Sequence, residues 1–263
     1  MIRILKKLAA NRNLLKNLVL RDLKHRYVGS MGGFLWSVIH PLVLLISYTF
    51  VFSVVLRQRL SPDAGTDSFA IFLFCGFLPW LLFSDTVMRN CSVVTDNAPL
   101  ITKTVIPAEV LPVSITLSNL FNHMIWLAIL LAFLLRAGTI HVSIFYILIY
   151  MPILLMLSQG IGWIAASLHV FVRDTSQILQ ILLILWMWFT PIFYSLDVVP
   201  NEYRGLFKLN PMVLIVTGYR NSLLNTAQPT PFQVLTVTMA SAAVFIAGAL
   251  IFRQTKPAFA DVL

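Results

Sequence analysis

Residues Phe34 to Leu56 run for 23 positions without a charged side chain. About 20 such residues carry an α-helix across the ~30 Å hydrocarbon core of a bilayer. In that medium only helices and closed barrels satisfy their own backbone hydrogen bonds. This one run therefore narrows the fold more than any other feature of the chain. Five further stretches read the same way: 69–94, 110–135, 142–172, 178–196 and 232–252. The composition agrees, with 59% hydrophobic and 11% charged residues where a soluble domain carries about 25% charged. The expectation is an all-α membrane protein, a single transmembrane domain over residues 1–263 with six transmembrane helices (34–56 being the first).

Charge is distributed unevenly. The net charge is +9. Residues 1–33 hold Arg3, Lys6, Lys7, Arg12, Lys16, Arg21, Lys24 and Arg26 against Asp22 alone. The remainder is nearly neutral, which argues for a membrane-surface segment facing anionic lipid and against nucleic acid as a partner. Within it, Leu14, Leu15, Leu18 and Val19 fall opposite Asn17, Arg21 and Lys24, so residues 1–30 read as an N-terminal amphipathic interface helix too charged to insert. No signal-peptide pattern is expected there. With six spans and both termini cytoplasmic, thirteen Lys and Arg lie inside and six outside, the orientation the positive-inside rule favours. Gly29, Gly32 and Gly33 give the backbone freedom to turn upright after this helix, and Trp36 and His40-Pro41 follow in its first turns.

Other stretches are not simple spans. Residues 197–230 contain an apolar core, Met212–Val216, far too short to cross, and read as short re-entrant helices between spans five and six. Residues 95–109 and 172–177 are the connections on the basic side. Asp174 followed by Gln177 has capping-box-like spacing for the fifth helix. Asp85 and Arg89 stand at i, i+4, so Arg89 can neutralise Asp85. Cys75 and Cys91, sixteen residues apart on one helix, lie about 24 Å from each other and cannot bridge. No G-x-x-x-x-G-K-[ST], H-E-x-x-H, C-x-x-C or G-x-S-x-G pattern occurs. The five histidines have no ligand spacing, and each is expected to be hydrogen-bonded rather than metal-bound. No chain of buried carboxylates offers a proton relay. Energy for any transport is therefore expected from another polypeptide.

Aromatic residues crowd the first, second and fifth spans: Tyr48, Phe50 and Phe52; Phe72 and Trp80; Trp186, Trp188, Phe189, Phe193 and Tyr194. Such rings serve as packing and interfacial belts, or as faces on which a sugar slides.

The runs "RDLKHRY", "SMGGFLWSVIHPL", "YTFVFSVV", "GFLPWLLFSDTV", "NAPLITKTVIPAEVLP", "VRDTSQILQILL", "WFTPIFYSLDVVP" and "LNPMVLIVTGYRN" follow in this order over nearly the whole chain. Together they resemble the permease subunits of type-2 ABC exporters, notably those for polysaccharides such as O-antigen, capsule or teichoic acid. The resemblance implies a homodimer in the inner (cytoplasmic) membrane, joined by two copies of a cytoplasmic ABC ATPase subunit. This chain would need no cofactor, ATP and Mg belonging to the partner. A lipid-linked glycan would pass at the dimer interface, along an aromatic lining of Tyr48, Phe52, Phe72, Trp80, Trp186, Trp188, Phe193 and Tyr194. Residues 96–108 and 172–177 would be coupling segments, with Asn97, Pro99, Leu100, Lys103, Arg173, Asp174 and Gln177 against the ATPases. Residues 197–220 would stand at the channel exit. On this reading Arg21, Lys24 and Arg26 attract the lipid phosphate at entry, although the same cations also suffice to set topology. Three alternatives stay open: a type-2 drug or antibiotic efflux permease, a stand-alone channel, and a membrane-embedded glycan transferase using Asp85, Glu109, His123 or Asp174.

Overall fold

The computed structural model describes residues 10–27, 33, 35–58, 60, 64–102, 107–136 and 138–263, and only the backbone of His25, Arg26, Tyr27 and Ala260. Helix α1 spans Arg12–Tyr27; α2, Leu35–Thr49, runs on in π-helical winding through Phe50–Val55. Then come α3 (Phe69–Asp96), the short α4 (Ala98–Thr102) and α5 (Val110–Arg136). A 3₁₀ turn, Val142–Tyr146, leads into α6 (Ile147–Phe171), followed by α7 (Thr175–Trp188), α8 (Asn201–Leu209) and α9 (Pro211–Leu224). Helix α10 (Pro231–Thr255) and, after a 3₁₀ turn, α11 (Phe259–Val262) end the chain. All regular elements among the described residues are helical.

Among the described residues, five helical segments are long and apolar enough to cross a membrane: Leu35–Val55, Phe69–Asp96, Val110–Arg136, Val142–Phe171 and Pro231–Ala258. The fifth expected span is different. Helix α7 has 14 residues, about 21 Å, and stops at Trp188 rather than near Leu196. Pro191 explains the break. It lacks an N–H, its ring clashes with a preceding helical turn, and it disfavours helical backbone at Thr190. Helix α9 is equally short. Asn210 starts it by accepting the Met212 N–H at 3.0 Å with Pro211 at the first helical position. Asn225, at φ 54°, ends it in the left-handed conformation.

Helix α3 is the axis of the bundle. It is buried on nearly all sides, from Phe69 to Val94, and packs against α2, α5, α6, α7 and α9. Its first fifteen residues, Phe69–Phe83, are apolar on every face, which suits such a position. Its two cysteines are buried free thiols. Helix α2, by contrast, has Pro41 as its one buried residue and lies loosely against α3. Helices α6 and α10 approach closely where Gly160 meets Gly248: a Cβ on Gly248 would lie 2.2 Å from the Gly160 carbonyl oxygen. Small residues allow this contact, since lipid supplies no hydrophobic drive between helices. Gly248→Ala is expected to cost about 1–3 kcal/mol by overpacking, read as a lower melting temperature of the detergent-solubilised protein; an unchanged melting curve would contradict it.

The N-terminal helix does not present its apolar stripe to lipid alone. Leu14, Leu15 and Leu18 pack into a cluster with Val110, Leu111 and Ile115 of α5 and with Phe252 and Phe259. Gly33, at φ 45°, supplies the left-handed backbone between α1 and α2 that other residues adopt only at a cost. Gly29 and Gly32 lie outside the described residues.

Candidate functional site

Polar side chains knit the basic end together. Asp22 on α1 forms an ion pair with Arg89 on α3, whose other nitrogen donates to Asn119 Oδ1 on α5 at 3.1 Å. Asn119 in turn donates to Thr86 Oγ1 at 3.1 Å. Arg89 therefore ties the N-terminal helix to two long helices, and Asp22 takes up the charge that the sequence assigned to Asp85. One residue earlier, Arg21 donates to Asn97 Oδ1 at 2.8 Å, while Asn97 Nδ2 donates to the Val93 carbonyl at 2.9 Å. Asn97 stands at the junction of α3 and α4, so α1 and the α4 segment are joined directly. Beyond it Pro99 is exposed and Leu100 half-buried. The chain's end completes this region. Lys256 pairs with the buried Glu109 at 2.7 Å, and the Phe259 ring lies 6.2 Å from Phe171 at the foot of α6.

The opposite end is built around the break after α7. Arg220 on α9 is buried, and its guanidinium donates to the carbonyls of Pro191 and Ile192, both at 3.0 Å. It also lies 3.8 Å over the Phe72 ring, an attractive placement for a cation. Gly76 makes room, because a Cβ there would stand 2.3 Å from the Arg220 Nη2. Asn210 adds a second fastening. It accepts from Trp186 Nε1 at 2.9 Å and donates to the Phe189 carbonyl at 3.2 Å. Carbonyls freed by a broken helix are costly at membrane depth unless protein covers them, and these two side chains do that.

Rings then fill the space between α2, α3 and the broken segment. Phe193 is 4.9 Å from Tyr48, 5.2 Å from Phe52 and 5.3 Å from Trp188. Trp186 meets Phe83 at 5.0 Å.

The whole-chain comparisons bear on what such a bundle is. The model of the ABC-2 type transporter family matches residues 13–224. The chain belongs to the ABC-2 type transporter family. It is 33% identical to an O-antigen export system permease protein RfbA of Myxococcus xanthus over 99% of each chain. An RfbA of Klebsiella pneumoniae is 27% identical over 92% of each. The polysialic acid transport protein KpsM of Escherichia coli is 24% identical over 79% of this chain and 80% of its own.

Within this ABC-2 architecture the residues singled out by the sequence are placed unequally. Arg21 and Lys24 are exposed on α1; the Arg26 side chain and Lys103 lie outside the described residues. Arg173, Asp174 and Gln177 are exposed together at the turn between α6 and α7. The capping box is not formed: Asp174 precedes the helix with helical backbone angles and makes no side-chain cap, because a capping side chain needs extended backbone at that position. Among the described residues a capping box forms instead between Thr230 and Gln233, at the start of α10.

Among the aromatics, Phe72, Trp80 and Phe193 are at most 4% exposed. They pack inside the bundle, and Trp80 also borders a cavity between α3 and α7. Tyr48, Phe52, Trp186 and Tyr194 are half-buried and Trp188 is exposed. Arg220 and Asn210 escaped the sequence reading. Their signal was available as a charge and an amide within a stretch too apolar to be a plain loop.

Proposed function

We infer that this chain is the membrane-spanning permease subunit of an ATP-driven exporter that moves a lipid-linked polysaccharide across the inner membrane. The observation that carries the reading is the end-to-end likeness to an O-antigen export permease, 33% identical over 99% of both chains. The architecture supports it. The 98–102 segment exposes Pro99 and Thr102, and the 172–175 turn exposes Arg173 and Asp174, at the basic end where a soluble ATPase would dock. The basic end is the cytoplasmic one, as the positive charge there favours. Exposed Ile178, Ile181, Leu182, Leu185 and Trp188 leave α7 with an apolar face that a second copy of the chain covers, with the glycan path between the copies. Glu109 is occupied by Lys256 and His123 bonds the Tyr219 hydroxyl at 3.3 Å, which disfavours a transferase built on either.

Two measurements test this. Tagged chain purified from native membranes is expected to bring down an ABC ATPase in equal amount. Deletion is expected to remove the surface polysaccharide while its lipid-linked form accumulates inside. Intact surface polysaccharide together with increased drug sensitivity would instead indicate an efflux permease.

A further inference from the structure

A cavity of about 320 Å³ lies between α2, α3 and α5. Each helix turns one face to it. Helix α2 gives Trp36, Ser37 and His40; α3 gives Leu78, Leu81 and Asp85; α5 gives Asn119, Asn122, His123 and Trp126. The spacings of three, four and seven are those of single helix faces. Asn122 lies roughly 18 Å along α5 from its start, well inside the span. A carboxylate at such depth is expensive, and it points to function by default. Asp85 is moreover exposed and belongs to a second cavity of about 210 Å³, shared with Gln180 and Met187 of α7. It therefore stands where the two cavities meet, between the faces of α2 and α7.

The chemistry of this cleft is specific. The exposed indole of Trp36 offers a flat apolar face, the Trp126 ring is packed against Phe74 in the cleft wall, and a carboxylate with two planar amides offers paired hydrogen-bonding atoms. Neither Lys nor Arg is among its described lining residues, so it is not built for a phosphate. The volume is at the lower end of the ~300–1,000 Å³ typical of small-molecule sites. An uncharged ring carrying vicinal hydroxyls fits all three features. The cleft is also wired to both ends of the molecule. Asn119 leads through Arg89 to Asp22 on α1, and His123 leads to Tyr219 on α9.

We propose that the cleft centred on Asp85 is a saccharide-binding subsite that takes one pyranose unit within the membrane-spanning bundle. The proposal rests on the exporter reading. The transported glycan and a glycolipid headgroup present the same chemistry, and the test separates them. Asp85 and Asn122 hold hydroxyls, while the Trp36 indole covers the ring's C–H face. The diphosphate of a lipid carrier stays outside, toward the cations of α1.

The test uses the permease with its ATPase partner in lipid nanodiscs and two probes: polyprenyl diphosphate bearing a disaccharide, and polyprenyl diphosphate alone. Asp85→Asn is expected to weaken the sugar-bearing probe about tenfold, the loss of a charge-assisted hydrogen bond, and to leave the sugarless probe unchanged. Asn122→Ser, at a half-buried position, carries the same expectation if Asp85→Asn fails to assemble with the ATPase. Competition by dodecyl maltoside would mean that any glycolipid headgroup serves; absence of competition assigns the subsite to the transported glycan. Equal loss of both probes in variants that assemble normally, or no loss of either, overturns the subsite while leaving the exporter reading intact. Wild-type complex that binds neither probe, in cells that keep their surface glycan after deletion, overturns both.

Discussion

Arg220→Met is expected to abolish export and to lower the melting temperature of the purified protein by on the order of 10 °C. The side chain is long and apolar enough to fill the volume but donates nothing. The carbonyls of Pro191 and Ile192, each now receiving a guanidinium hydrogen bond, would lose their donors inside the bundle, at about 1–3 kcal/mol each. The cation over Phe72 would vanish as well. Arg220→Lys should fall between, since an ammonium reaches the carbonyls but lacks the planar face that lies on the ring. Gly76→Ala attacks the same joint from α3, because the guanidinium pinned beside it cannot withdraw without leaving its acceptors. Wild-type melting and export in Arg220→Met would mean that the broken helix is held by something else, with Asn210 the first candidate.

The second large effect is expected at the ion pair between α1 and α3. Arg89→Ala removes the guanidinium that pairs with Asp22 and donates to Asn119 Oδ1. Both charges are partly exposed, 31% and 17% at the side chains, so the stability cost stays near 1–2 kcal/mol. Transport should suffer more than stability. Helix α1 also holds Asn97 through Arg21, and loosening it frees the segment proposed to meet the ATPase. ATP hydrolysis by the assembled complex is expected to persist while export falls severalfold. Exchanging the charges, Asp22→Arg with Arg89→Asp, should recover most of the loss but not all, since Asn119 Oδ1 would then face a carboxylate. If export in Arg89→Ala matches wild type at equal membrane abundance, α1 has no part in coupling.

How much of this was legible beforehand differs between features, for definite reasons. Uncharged runs of twenty or more residues announce helices because lipid leaves the backbone no other solution. The break near Pro191 was missed because the residues around it are as apolar as a span. Proline marked it, yet a proline also lies inside α2, α3 and α6 without ending them. In a soluble helix, polar positions reveal which face points outward. Here lipid and protein interior are equally apolar, so periodicity could not separate the buried Phe72, Trp80 and Phe193 from the exposed Trp188. The pairing of Arg89 was misjudged in the same way: Asp85 is one turn away, but Asp22, 67 residues earlier, takes the bond.

The sequence by itself determined the helical class, the basic end, the family and the presence of a short-helix segment before the last span. These depend on composition and on local order along the chain. Tertiary structure alone decided which rings are core, which carboxylate meets which cation, and that Asp85, Asn122 and two indoles share one cleft. Those outcomes depend on the rotation of each helix about its own axis, and for a helix apolar on every side only contact with its neighbours sets that angle.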